Sequence, residues 1–295
     1  MTAIPDRYAP PAAARAVSPG RRGAVRSIAA GGKWLFLAVM LVITIVPLLW
    51  LVVSAFKTTP ELFKSPFGMP AHWSFANFTG AWDAEPLADF FRNSVVIAAT
   101  ATVVTIAVST LAAYALRHRF KLNGPARILL SVGLLVPFTA FMTPIFYLVY
   151  HLHLYNTVWG IALVYVGTSL PVGFLIVKGY MDTIPEEIVE AARIDGASFH
   201  GVFGRVLLPL CWPGLATAAI FLTINSWNEL LFANLLSAGP SAQTIQVGIL
   251  SFITSYAVNY PQAFAATVMA MAPTVVAYAF LSDRISTSMT AGSLK

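Results

Sequence analysis

Charge is what this sequence has least of. Asp, Glu, Lys and Arg make up 10% of its 295 residues, against 58% hydrophobic residues. Its mean hydropathy is +0.74. A soluble domain carries roughly 25% charged residues, so this chain cannot cover its surface in water and is not an ordinary soluble enzyme. The same apolar surplus excludes a disordered or fibrous chain. The single cysteine, Cys211, allows no intrachain disulfide and reads as a small packing residue. His72, His118, His151, His153 and His200 are scattered over loops without H-x-x-x-H or H-E-x-x-H spacing, so no metal is expected. The phosphate-loop pattern G-x-x-x-x-G-K-[ST] is missing, which excludes an ATPase. No paired carboxylates or nucleophile constellation shares one membrane depth, so the chain is not read as an enzyme. Nor does it show the inverted repeat of many secondary transporters.

What it does have is long charge-free runs. A helix needs roughly 20 apolar residues to cross the hydrocarbon core. Spans are expected at about 34–56, 93–116, 128–150, 154–177, 206–236 and 262–282. The fold class is therefore an all-α membrane protein with six transmembrane helices. The first run is too long for a secretory h-region of roughly 7–15 residues and has no small-residue cleavage site at its end, so it is read as a retained helix. Residues 1–32, rich in Ala, Pro, Gly and Arg, are expected to be disordered, with residues 33–295 forming the membrane domain.

Lys and Arg set the orientation. The N-terminal segment, the loops after spans two and four, and the tail together hold 15 of these cations, while Lys57, Lys64 and Arg92 are the 3 on the other side. The positive-inside rule puts both termini in the cytoplasm. The net charge of +6 is thereby explained by membrane orientation, and no nucleic acid is expected as a partner.

Two external segments are more than turns. Lys57 to Phe91 carries Trp73, Phe75, Phe78, Trp82, Phe90 and Phe91, which reads as an interfacial aromatic belt or a docking surface. Ser237 to Tyr260 has a charge-free polar tip with Ser241, Gln243, Thr244 and Gln246. On the cytoplasmic side, 182–205 reads as two short helices. Thr183 and Glu186 have capping-box spacing, Pro185 falls in the first turn, and Ile188, Ala191 and Ala192 line one face. Gly196 permits a left-handed exit, and a second helix can begin at Ser198. Without a protein partner such a pair would lie on lipid.

The spacing Glu190-Ala191-Ala192, three residues including Arg193 and Asp195, Gly196, nine residues, then Val206-Leu207-Leu208-Pro209 resembles the EAA loop of ABC-importer permeases, with Val206 standing for the usual Ile. Ser226-Trp227-Asn228-Glu229-Leu230-Leu231-Phe232 resembles the W-N-E stretch of carbohydrate-importer permeases. Trp73-Ser74-Phe75-Ala76-Asn77-Phe78 and Phe91-Arg92-Asn93-Ser94 are similar to their first external segment, and Thr290 to Lys295 to the T-A-G-x-x-K tail of the maltose-type, MalG-like family.

This resemblance implies a type I importer architecture and a division of labour. A second, homologous permease completes the pore. Two cytoplasmic ATPase subunits use ATP and magnesium, so no cofactor is expected on this chain. An extracytoplasmic binding protein delivers the solute. The EAA loop docks on the ATPase, Ser241 to Gln246 displace solute from the binding protein, and Ala291, Gly292 and Lys295 reach the ATPase. Asn225, Trp227, Asn228 and Glu229 are candidates for the translocation pathway. Glu229, at the far end of span five, reads equally as a structural group at the mouth. Importers of amino acids, peptides or glycerol phosphate share the EAA loop and remain the rival reading.

Overall fold

The computed structural model describes residues 19–117, 123–254 and 259–291. Their regular structure is helical, with no strand among the described residues. The chain divides after Leu51 into two units. The first carries most of α1 (Pro19–Ser54). From Trp34 this helix is apolar all round, as a span facing lipid must be. The helix starts upstream of the boundary expected at Lys33. Once the apolar run is helical, each further Ala or Arg joins at low cost.

The second unit begins with α2 (Thr59–Lys64) and α3 (Ala76–Ala84). Thr58 and Glu61 form a capping box, and amide bonds from Thr58 and Ala71 hold the Glu61 carboxyl below the usual carboxylate range. Lys57 is buried, with Nζ donating to the carbonyls of Ser65 and Pro66 at 3.1 and 2.8 Å. Phe56 is ringed by Trp73, Phe75 and Phe78. The aromatic segment is thus a folded cap, with Phe67 and Met69 left exposed.

Then follow α4 (Leu87–Ala115), α5 (Asn123–Val132), α6 (Met142–His151) and α7 (Val158–Met181). Next come α8 (Glu186–Ile194), α9 (Phe199–Gly201), a π-helical stretch Val202–Leu207, and α10 (Leu208–Leu210). The chain ends through α11 (Trp212–Asn228), α12 (Leu231–Leu236), α13 (Ile245–Thr254) and α14 (Tyr260–Ala291).

The centre is α4 packed along α7, with α11 against both. The stripe that permits this is small and polar: Ser94, Ala98, Ala101, Thr102, Thr105 and Ser109 recur at helical spacing and are buried. Gly173 on α7 faces it, and a Cβ there would fall 2.7 Å from Thr105 Cγ2. Small residues bring helix axes close where lipid gives no hydrophobic drive for association. Thr102 and Thr223 share a hydrogen bond of 3.1 Å between α4 and α11. The hydroxyls of Thr105 and Ser109 are buried without a partner. Thr105→Val keeps the shape and removes an unmet polar group. Thermal unfolding of the purified chain should then show stability unchanged or raised by about 1 kcal/mol; a clear loss would mean the hydroxyl is satisfied in the membrane.

Four helices are long and apolar enough to cross a membrane, or up to six if each of two bent pairs is one span. The expected span 128–150 bends by 92° between Asn123–Leu135 and Phe138–His151. Pro137 lacks an N–H and holds Val136 extended, with ψ 117°. The expected span 206–236 is broken twice. It bends by 69° at Cys211, two residues before Pro213, and stops at Asn228 because Glu229 is extended.

Candidate functional site

The local sequence of the EAA-like segment builds a helix and a defined exit. Gly196 has φ +84°, the left-handed region that Gly enters freely. Its N–H donates to the Arg193 carbonyl and that of Ala197 to the Ala192 carbonyl, both at 3.0 Å. These two bonds are the Schellman pair that closes a helix C-terminus. Ser198 then caps the next turn by accepting from the Gly201 N–H at 3.2 Å, as its position in the sequence suggested.

One detail differs from expectation. Thr183 does not cap α8: its hydroxyl donates to the Tyr180 carbonyl, Pro185 is the cap residue, and Glu186 is engaged elsewhere. The anchoring residue of α8 is Val189, buried beside half-buried Ala192. Ile188, Ala191 and Ile194 turn outward, Ile194 being 86% exposed. The outward face therefore combines these apolar groups with exposed Glu190, Arg193 and Asp195. Beside it lies a polar hollow of about 580 Å³ bounded by Gly196, Ser198, His200 and Arg205. Val206 and Leu208 are half-buried in the π-helical stretch and α10, and Pro209 is exposed.

The segment is held to the bundle from both sides. Arg117, just past α4, donates Nη1 to the Met181 carbonyl and Nη2 to the Ile184 carbonyl, both at 2.8 Å. Its Nε and Nη2 also meet Glu186 Oε2 at 2.9 and 2.8 Å. Tyr114, one turn earlier, donates to the Phe199 carbonyl at 2.8 Å, and its ring packs on Phe199 and Phe203. A core cluster that includes Tyr114, Met181, Val189 and Leu207 continues beneath.

Between α7 and α11 lies a cavity of about 230 Å³ lined by residues including Tyr165, Thr168, Ser169, Asn225, Ser226 and Glu229. Of the pathway candidates it takes Asn225 and Glu229. Trp227 lies elsewhere, buried, with its indole N–H donating to the Ala270 carbonyl of α14 at 3.1 Å. Asn228 bonds back to the Ile224 carbonyl of its own helix. Both Glu229 carboxylate oxygens accept backbone amides of α12, from Phe232 and Ala233.

The polar tip expected at Ser241 to Gln246 is pinned to the bundle. Asn93 donates to the carbonyls of Pro240 and Gln243, and Ser94 accepts from the Ile245 N–H. Asn156, at φ +56°, donates its N–H to the Leu236 carbonyl and accepts from the Ala238 N–H. Ser241 is exposed, Gln243 and Gln246 are half-buried, and Thr244 is buried. Asn93, Ser94 and Asn156 were not singled out for this role; the available signal was an Asn and a Ser at the start of an apolar helix. Ala291 closes α14, while Gly292 and Lys295 lie outside the described residues.

The diacetylchitobiose uptake system permease protein NgcG of Streptomyces coelicolor is 33% identical over 86% of this chain and 85% of its own. The sulfoquinovosyl glycerol transport system permease protein SmoH of Agrobacterium fabrum is 33% identical over 95% of this chain and 98% of its own. The fold is that of a chain in a bacterial ABC transporter involved in the import of alginate, with a TM-score of 0.78 and 19% identity over 90% of this chain and 98% of that one. Residues 105–290 match the family model for the binding-protein-dependent transport system inner membrane component, and the chain belongs to that family.

Proposed function

We propose that this chain is the transmembrane permease subunit of an ATP-driven importer that moves a carbohydrate into the cytoplasm. The observation that carries the reading is the α8 turn. An apolar and acidic face is held out from the bundle by a Schellman exit at Gly196, in a chain whose family serves binding-protein-dependent transport. The carbohydrate solute is supported by relatives named for diacetylchitobiose and sulfoquinovosyl glycerol transport. On this reading each bent helix pair is one span, giving six, and the cation bias puts both termini in the cytoplasm.

The partners follow. A second, homologous permease completes the pore. Two ATPase subunits dock on Glu190 to Gly196, and Ala291 to Lys295 reach toward them. A solute-binding protein docks on the external face. Asn225 and the wall held by Glu229 line part of the pathway. Reconstitution with the partner subunits tests the whole. ATP-dependent uptake of labelled oligosaccharides is the expected result. Uptake of amino acids, peptides or glycerol phosphate alone would replace the solute class, and ATP-independent uptake would overturn the reading.

The pinned tip still offers Ser241, Gln243 and Gln246 to a solute leaving the binding protein. Because Thr244 and Ile245 are buried, the informative variant is Gln243→Ala with Gln246→Ala, which spares that buried pair. Uptake should fall about fivefold, the order of one lost hydrogen bond of roughly 1 kcal/mol, while binding-protein docking persists. Unchanged uptake would reduce the segment to a connection between helices.

A further inference from the structure

We propose that Arg117 is a positioning residue for coupling: it locks the α8 docking helix to α4, so that movement imposed on α8 is delivered to the membrane bundle. In the sequence Arg117 is one of many cations that orient the chain, and that role needs only a charge near the membrane surface. The structure gives it more. Its side chain is only 12% exposed. One planar fork reaches the last carbonyl of α7, the Ile184 carbonyl in the connecting turn, and the first-turn carboxylate of α8. A cation suits the carbonyl end of α7, and an acid suits the amide end of α8, so the pairing satisfies both helix termini at once.

Without the fork, the Asp182–Pro185 connection could hinge. Short backbone bonds tie it to α7, among them the Asp182 N–H to the Lys178 carbonyl. Arg117 is what ties it to α4. Tyr114 makes the complementary grip on the far side of the Gly196 turn through the Phe199 carbonyl. One grip comes from the last turn of α4 and the other from two residues past its end, so a displacement of α8 must either carry that end of α4 with it or break them. α4 in turn packs along α7 and α11, whose facing residues line the cavity. The geometry thus connects the docking face to the cavity walls through packed helices, a rigid-body transmission. Lys would keep the charge but not the fork, since an ammonium cannot reproduce three planar donors aimed at separate acceptors.

The inference rests on the reading of α8 as the ATPase-docking helix, so the experiment separates the two. The assembled transporter, with its ATPase and binding-protein partners, is reconstituted carrying Arg117→Gln, Arg117→Lys or no change. A reporter cysteine, Ile194→Cys in a Cys211→Ser background, monitors α8 against the ATPase by crosslinking. The quantities read are crosslink yield, ATP hydrolysis, uptake, and solute moved per ATP. The expected result is a crosslink in all three proteins, with hydrolysis in both Arg117 variants close to that of the reporter protein that keeps Arg117. Solute moved per ATP should drop about tenfold in Arg117→Gln and to an intermediate extent in Arg117→Lys, as suits loss of charge-assisted hydrogen bonds. A crosslink with an unchanged ratio in Arg117→Gln would overturn the latch while leaving docking intact. So would a fall in hydrolysis and uptake together at constant ratio, which is the mark of a merely structural role. Absence of the crosslink without the Arg117 change would overturn the docking reading and the latch with it.

Discussion

Replacing Gly196 by Val should lower solute uptake by about tenfold or more while leaving membrane insertion and helix content unchanged. The expected size comes from the backbone. The left-handed conformation costs an L-residue roughly 1–2 kcal/mol, and a β-branched residue is the worst suited to it. At about 1.4 kcal/mol per factor of ten, that strain alone disfavours the closed turn by about an order of magnitude. Nothing lies within 4 Å of the Cβ position, so a steric clash with the rest of the chain is not the cause. The strain has one exit: φ relaxes to negative values, the Ala197 N–H leaves the Ala192 carbonyl, and Phe199 is carried off its seat on Tyr114. Gly196→Asn is the matching control. Asn occupies the same open space but tolerates the left-handed region, so it should retain most of the uptake. Equal losses in Val and Asn variants would show instead that any side chain at position 196 obstructs the partner face. Full uptake in the Val variant would show that the turn need not be fixed. Uptake and ATP hydrolysis in proteoliposomes, read beside circular dichroism of the purified chain, distinguish these outcomes.

The turn was legible in the sequence because its cause is local. A glycine directly after an amphipathic run needs no distant residue to become a helix exit. The grips that hold it were not legible, because they depend on pairs far apart: Arg117 and Glu186 are separated by 69 positions, Tyr114 and Phe199 by 85. The capping-box spacing of Thr183 and Glu186 misled for the same reason. A long-range guanidinium took the carboxylate that the local motif requires. The apolar face at Ile188 and Ala191 was legible and does turn outward, whereas Val189, which no local signal marked, is the residue buried in the cluster with Tyr114, Met181 and Leu207.

Proline shows the same limit within the spans. Pro47, Pro171 and Pro273 lie inside unbroken helices, whereas Pro137 ends one. A membrane helix tolerates proline when neighbours re-satisfy the freed carbonyl, and the sequence does not show which neighbours those are. The anchoring of the Ser241–Gln246 tip was not legible either, because its polar residues can be counted along the chain and its anchors cannot. Asn93 and Ser94 sit on α4, about 150 residues earlier in the chain.

Glu229→Ala should destabilise the folded chain by roughly 2–6 kcal/mol, since the change strands two amides at about 1–3 kcal/mol each. The carboxylate stands at the break between α11 and α12. Its Oε1 accepts from the Phe232 N–H at 3.0 Å and its Oε2 from the Ala233 N–H at 3.1 Å. Both residues are nearly inaccessible, Ala233 completely so, which leaves the orphaned donors at buried positions. The break itself is fixed from the other side by the Tyr165 hydroxyl donating to the Glu229 carbonyl at 3.2 Å. Losing the cap therefore loosens α12, which packs against α6 and α7 and places Phe232, Ala233 and Leu236 in one buried cluster with Ile161. Glu229→Gln keeps the length and one acceptor oxygen, so it should forfeit about half as much. Glu229→Asp is one methylene shorter and should fall nearer to Ala. Because each oxygen already accepts a backbone N–H, the carboxylate reads as a cap rather than a solute grip, and Glu229→Gln should keep uptake within about twofold once expression is equalised. Thermal unfolding in detergent, read beside uptake in proteoliposomes, separates the roles. Abolished uptake in Glu229→Gln at unchanged unfolding temperature would mean that the carboxylate acts on the solute itself. Unchanged unfolding in Glu229→Ala would mean that the α12 amides find another acceptor, and the cap would then account for neither the break nor the cavity wall.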